Sequence, residues 1–222
     1  MSLIRRQLQA AGYVDLGIMG PTESTRQIAK ALAIAIGAIV AAPIEQLKAT
    51  PLGAKPPNTY GGNYGFGELP LHSDLAHWHR PPRYLLLRCS IGSPHVSTRL
   101  LDRSDLEQVV PPDLMRCALF SPRRRLDGKM FLLRMLTRDV LRWDSLFLSP
   151  KNESARKVAK LMAELDIELL AHDIFLSEPG HTVLLDNWRV LHGRSAVPST
   201  DVGRSLDRVY LDLLENGDQN SA

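Results

Sequence analysis

The chain has 222 residues, of which 44% are hydrophobic and 23% charged, the balance of an ordinary globular protein. Its 27 basic and 24 acidic residues leave a net charge of +3, too small a surplus to predict binding to nucleic acid or to a membrane surface. No stretch approaches the ~20 apolar residues of a spanning helix, and no secretory signal is visible. Two cysteines exclude a disulfide framework and a four-thiolate zinc site, and they favour the reducing cytoplasm.

The length predicts a single domain, 1–222, and local patterns predict its elements in chain order. The first elements are a strand at 12–18, a helix from a start at 21–24 through 28–36, and an irregular Pro- and Gly-rich loop at 50–70. Strands at 83–91 and 95–101, a helix at 102–110 and several strands within 113–150 follow. The chain then continues with a helix at 153–171 and strands at 174–176, 181–185 and 204–214.

These many short strands with few helices predict a mainly β fold, a sandwich or barrel with helical additions. Within the 113–150 stretch the pair Asp127-Gly128 predicts a turn. The one dense basic cluster, Arg123 to Arg125, is interpreted as a solvated turn.

The segment Leu71-His72-Ser73-Asp74 is the first that indicates chemistry. Residues i and i+2 point the same way on a strand or at its end, so His72 and Asp74 can present a nitrogen and an oxygen ligand to one point. This short motif is weak by itself, and a turn cap is the alternative. A later apolar strand runs into a turn and then presents His192, which can supply a third ligand. Two histidines and one carboxylate leave three metal positions open, as in non-haem Fe(II) oxygenases, which need them for a cosubstrate and O2.

A third segment, Gly203 to Tyr210, carries two arginines at strand spacing. Arg204 and Arg208 lie on the same face of a strand. Arginine grips a carboxylate with two parallel hydrogen bonds and stays charged. One of the two is therefore a candidate anchor for an acidic cosubstrate such as 2-oxoglutarate.

Taken together, these segments resemble the taurine dioxygenase and gamma-butyrobetaine hydroxylase group of Fe(II)/2-oxoglutarate-dependent oxygenases, which are clavaminate synthase-like. The resemblance is carried, in the family's order, by LPLHSDLAHWHRPPRYLLLRC, VSTRLLD, GHTVLLDNWRVLHGRSA and GRSLDRVYLDL, over about residues 60–214. It implies a double-stranded β-helix, or jelly roll, over that range, after an α/β portion at 1–58. It also implies His72, Asp74 and His192 as iron ligands.

The same resemblance implies how the cosubstrate is held. Arg204 falls where the family binds the far carboxylate of 2-oxoglutarate, and Thr98 falls where a threonine hydroxyl helps to hold the same molecule. Arg208 matches a second arginine of some members, which supports the cosubstrate or contacts an anionic substrate. The implied cofactors are Fe(II), 2-oxoglutarate and O2.

Candidate substrate contacts lie beside the first metal motif. Tyr64 and Asn63, with Tyr60, sit in the Gly-rich loop before it, and such loops often carry substrate contacts. His77 or His79 is a further candidate, with plain packing or exposure as the alternative.

The leading hypothesis is a dioxygenase that hydroxylates a small polar metabolite, such as an amino acid or its derivative, with release of succinate and CO2. Desaturation and ring formation use the same ligands. One alternative is the same chemistry on a peptide or carrier-bound substrate, with Arg123 to Arg125 at a basic rim. Another is a non-catalytic jelly-roll sensor of metal or metabolite. The expected partner is a small-molecule substrate, with a homo-oligomer left open.

Overall fold

The computed structural model describes residues 2–20, 22–124, 128 and 130–213. Its strands are β1 Tyr13–Ile18, β2 Ala38–Val40, β3 Glu45–Lys48, β4 Leu69–His72, β5 Tyr84–Ile91, β6 Ser97–Asp102, β7 Leu119–Pro122, β8 Leu133–Arg134, β9 Leu148–Pro150, β10 His172–Phe175, β11 His181–Asp186, β12 Val190–Arg194 and β13 Ser205–Leu213. Its helices are α1 Leu3–Ala11, α2 Thr25–Ile36, α3 Tyr60–Tyr64, α4 Arg103–Val109, α5 Pro112–Cys117 and α6 Glu153–Glu164. Two 3₁₀ turns lie at Ile167–Leu170 and Ser199–Asp201.

In the described part of the chain the strands form three sheets, and neighbouring strands in them run antiparallel. The six-stranded sheet has the order β1-β11-β5-β13-β2, with β3 also paired to β13. The four-stranded sheet has the order β10-β6-β12-β4, and the small third sheet has the order β8-β7-β9. The predicted mainly β fold with a few helices is therefore confirmed.

Side-chain alternation along β5 explains how the layers pack. Leu85 and Leu87 join a buried cluster with Leu100 of β6, so this cluster fills the space between the two larger sheets. Leu86 points the other way and packs with Leu32 of α2 in a second cluster, so helices cover the outer face of the six-stranded sheet. A third cluster lies among the small sheet and α4 to α6.

Side-chain caps set the starts of two helices. Asp102 caps α4 by accepting the backbone N–H of Ser104, and Asn152 caps α6 by accepting that of Ala155. The helix predicted at 153–171 is shorter, because the α-helix ends at Glu164 and a 3₁₀ turn follows. Arg125 and Asp127 of the predicted turns lie outside the described residues.

The segment predicted as a loop at 50–70 contains a short helix, α3. Thr59 starts it, since its hydroxyl accepts the N–H of Gly62. Gly62 is required by close packing, because a Cβ there would lie 2.1 Å from the carbonyl oxygen of Pro56. No helix among the described residues is long and apolar enough to cross a membrane.

Candidate metal centre and its cavity

Strand pairing brings the two predicted histidine ligands together. His72 is the last residue of β4, and its register partner on β12 is His192. Their ring centroids lie 4.5 Å apart. Asp74 follows β4 by two residues, so its carboxylate reaches the same point beyond the strand end.

The three side chains form a buried cluster with the geometry of a metal site. One nitrogen or oxygen from each lies within 4.8 Å of the others. The Oδ1 atom of Asp74 is 3.4 Å from Nε2 of His72 and 3.7 Å from Nε2 of His192. Imidazole nitrogen with carboxylate oxygen is a donor set that suits Fe(II). The cluster thus has the ligand types and the proximity that such an ion requires.

Hydrogen bonding prepares His72 for coordination. Its Nδ1 lies 2.8 Å from the carbonyl oxygen of Pro70, which can only accept, so Nδ1 carries the proton of the neutral ring and Nε2 is the atom that can bind a metal. Nδ1 of His192 is buried without a partner among the described residues. Burial lowers the pKa of His192. Burial acts in the same direction on His72, but the hydrogen bond and the charge of Asp74 outweigh it, so the pKa of His72 is raised.

The second oxygen of Asp74 is held by two residues of β13. Oδ2 accepts hydrogen bonds from Nη1 of Arg208 at 3.0 Å and from the hydroxyl of Tyr210 at 2.9 Å. Burial by itself raises the pKa of Asp74, but Arg208 and the two histidines outweigh burial and keep that pKa well below its usual value. Burial and Asp74 raise the pKa of Tyr210, so its hydroxyl stays protonated and donates.

The backbone around Asp74 is fixed by Asn187. Its Oδ1 accepts the N–H of Asp74 at 2.8 Å, and its Nδ2 donates to the carbonyl oxygens of Asp74 and Pro82, both at 3.0 Å. These hydrogen bonds fix the Asp74 backbone to the turn that follows β11. Leu75 adopts a φ of 55°, a strained value for a branched side chain.

A buried arginine anchors the chain that follows. Arg142 donates to the carbonyl oxygens of Ala76, Trp78 and His79 at 2.8–3.3 Å. Burial lowers its pKa to about 10, so the guanidinium remains charged at neutral pH. The sequence carried no signal for this role, because Arg142 lies 66 positions from Ala76.

The cluster opens into a cavity of about 430 Å³, a size typical of small-molecule sites. Thr98, Arg204 and Arg208 line it together with the three candidate ligands. Leu206 also lines the cavity, which therefore adjoins the core between the two larger sheets. Another part of the wall is formed by residues 45–50, which belong to β3 and the chain after it, and by residues 59–61 and 64–65 around α3.

Arg204 is the most exceptional charge in this cavity. Its Nη2 lies 3.4 Å from the hydroxyl of Thr98, and its Nε is buried without a hydrogen-bond partner. Within the described residues it pairs with no carboxylate. Burial, and then the neighbouring charge of Arg194, lower its pKa to about 10, so it stays a cation at neutral pH. A buried guanidinium without a counter-ion is a fitting partner for an anion.

Some of the candidate substrate contacts line the cavity, and others lie outside its wall. Tyr64 and Tyr60 line the cavity, and the Tyr60 ring lies 4.5 Å from that of His72. Asn63 instead donates to carbonyl oxygens of its own loop and is not among the lining residues. His77 is also not among them, since its ring packs 5.0 Å from Phe147.

No protein-family model and no curated protein sequence matches the chain. Solved structures do match it. An asparagine oxygenase in complex with Fe(II), 2S,3S-3-hydroxyasparagine and succinate has 16% identity and a TM-score of 0.67, covering 93% of this chain and 76% of that one. The non-heme iron oxygenase OrfP, in complex with Fe and alpha-ketoglutaric acid, has 15% identity and a TM-score of 0.65, covering 94% and 78%.

Both of these structures are of oxygenases in complex with iron. The resemblance that the motifs predicted is thereby confirmed at the level of the fold. At this sequence identity the comparison shows that the chain shares the fold of these two oxygenases.

Proposed function

We propose that the chain is an Fe(II)- and 2-oxoglutarate-dependent dioxygenase that hydroxylates a small polar metabolite, such as an amino acid or its derivative. The observation that carries the proposal is one cavity that contains both the His72, Asp74 and His192 cluster and the buried guanidinium of Arg204, which has no carboxylate partner in the described part of the chain. A metal site alone does not need a buried cation beside it. A metal site that takes a dicarboxylate cosubstrate does, because the far carboxylate needs a partner.

The residues present fit the implied cofactors. His72, Asp74 and His192 would hold Fe(II), and the site's nitrogen and oxygen donors suit that ion. When bound, iron with 2-oxoglutarate and O2 supplies the oxidation of a C–H bond, coupled to release of succinate and CO2.

The chain's own contribution is binding, orientation and exclusion of water. Arg204 and Thr98 would hold the far carboxylate of 2-oxoglutarate, since they are adjacent in the cavity wall. The buried setting strengthens that charge pairing, because little water competes there. Tyr64, which lines the cavity, is the loop residue that best suits a substrate contact.

The fold supports this proposal in its finer form. We infer that the two larger sheets make a double-stranded β-helix, with the iron site at the end of the core between them. The strands at 13–18 and 38–48 pair within the six-stranded sheet, which favours one oxygenase domain over 1–222. The cytoplasmic location and a homo-oligomeric state stay predictions from the sequence.

Two neighbours suggest the substrate class. The asparagine oxygenase structure contains hydroxyasparagine, and an OrfP structure contains a hydroxylated arginine. An amino-acid-like substrate is therefore the first class to test here. For a peptide or carrier-bound substrate the basic-rim argument weakens, because Arg123 lines a different cavity, beside α6.

The test is succinate formation by the purified chain with Fe(II), 2-oxoglutarate and a panel of amino acids and their derivatives. We expect substrate-dependent succinate and an oxygenated product from the wild type and none from His72→Ala. His95→Ala is the matched control, because this exposed histidine lies outside the cavity. Metal and 2-oxoglutarate binding without turnover on any substrate would favour the sensor. Failure to bind Fe(II) anaerobically would refute both.

A further inference from the structure

The inner face of β13 contacts the candidate metal ligand Asp74 at Oδ2, the oxygen other than the one that faces the two histidine nitrogens. Arg208 and Tyr210 are two positions apart on this strand, so their side chains point the same way. Both donate to Oδ2 of Asp74, whereas Oδ1 faces the two histidine nitrogens. The two oxygens of one carboxylate thus have separate surroundings.

Each donor is itself held in place. The guanidinium carbon of Arg208 lies 5.0 Å from the ring centroid of Tyr210, within the range of a cation–π contact. The Nη2 atom of Arg208 pairs with the carboxylate of Glu45, which is the register partner of Arg208 on β3. Only 3% of the Asp74 side chain and 18% of the Arg208 side chain are exposed, so water competes little for these hydrogen bonds.

We propose that Arg208 and Tyr210 are positioning residues that occupy Oδ2 of Asp74, so that Asp74 offers the metal one oxygen. This inference rests on the proposed function, since it concerns the same site. It assigns Arg208 to the ligand carboxylate in place of a direct contact with the cosubstrate.

The consequence concerns how many metal positions stay open. A carboxylate can bind an ion through one oxygen or through both. If both oxygens of Asp74 bound the ion, Asp74 would take a position that the cosubstrate or O2 needs. Two histidine nitrogens and one carboxylate oxygen leave three metal positions open. Two donors that hold Oδ2 keep that position free. Residues that hydrogen-bond to metal ligands commonly tune the metal affinity of a site.

The alternative is that the contact only ties the two larger sheets together, since β13 and the end of β4 belong to different sheets. That role would affect folding stability without changing how a bound ion is coordinated. The two roles are therefore separated by the spectrum of a metal reporter.

The experiment uses the metal-free full chain titrated with Co(II), whose visible absorption weakens as its coordination number rises. Tyr210→Phe removes one hydroxyl and keeps the ring. We expect a weaker absorption band, because the freed Oδ2 reaches the ion and raises its coordination number. Tyr84→Phe is the matched control, because Tyr84 lies on neighbouring β5 and packs in the helix-side core. It should match the wild type.

Glu45→Gln provides a second variant that is safe for folding, since 58% of the Glu45 side chain is exposed. It removes the outer partner of Arg208, and we expect a smaller change of band intensity in the same direction. A wild-type spectrum in both variants would overturn the inference, even with weaker affinity. A wild type that binds no Co(II) would overturn the inference together with the proposed function, so the two failures are distinguishable.

Discussion

Replacement of Asn187 by alanine should be among the most destabilising single changes near the metal site. The side chain is 1% exposed and makes three hydrogen bonds, at 2.8, 3.0 and 3.0 Å, to the backbones of Asp74 and Pro82. A buried hydrogen bond contributes about 1 kcal/mol net, and a stranded buried donor or acceptor costs about 1–3 kcal/mol. Loss of all three should therefore lower the free energy of unfolding by about 3 kcal/mol, a large share of the ~5–15 kcal/mol of a typical domain.

The assay is urea unfolding of the metal-free protein, followed by tryptophan fluorescence and by circular dichroism. Asn63→Ala is the matched control, because Asn63 also makes hydrogen bonds to backbone carbonyls but is exposed. It should cost less than ~1 kcal/mol, since water replaces its lost partners. If Asn187→Ala unfolds within ~1 kcal/mol of the wild type, the backbone of Asp74 does not depend on Asn187 and the reasoning fails.

Three further outcomes are expected. Mn(II) at 100 times its dissociation constant should stabilise the chain by about 2.7 kcal/mol and raise Tm by roughly 5–10 °C in differential scanning calorimetry. A chelator or His72→Ala should abolish this increase in Tm. Arg204→Met should weaken 2-oxoglutarate binding to the Co(II)-loaded protein about 100-fold, because charge-assisted hydrogen bonds are lost. Calorimetric titration measures this affinity, and the affinity for Co(II) should stay within roughly two-fold of the wild-type value. Arg142→Met should lower the urea-unfolding free energy by about 2 kcal/mol, because the carbonyl oxygens of Ala76, Trp78 and His79 lose their donor.

The ligand cluster was predictable because part of its signal is local. His72 and Asp74 are two residues apart, and that spacing at a strand end is enough to suggest a shared point. The link to His192 depends on the register of β12 against β4, which no local pattern encodes. The strand and turn before His192 offered it as a third ligand, and the order of the motifs in the family resemblance then implied the same role.

The supporting contacts were not predictable for the same physical reason. Arg208 reaches Asp74 across 134 positions, and Asn187 reaches it across 113. An arginine at strand spacing suggests an anion partner, but nothing local indicates that the anion is the chain's own ligand. For α3, the glycines predicted a loop because they disfavour helices. The helix forms there because Gly62 allows the chain to pass close to Pro56.

Strand β13 connects the two halves of the candidate site. It is paired on one side with β5 and on the other with β2 and β3, so its backbone is held on both edges. Arg204 immediately before it and Arg208 within it lie four positions apart, on the face toward the cavity. The first would anchor the cosubstrate, and the second contacts the candidate ligand Asp74. A strand fixed on both edges would therefore set the distance between the proposed cosubstrate anchor and the candidate metal ligand. A site must hold such a distance to within a fraction of an ångström for orientation to accelerate a reaction.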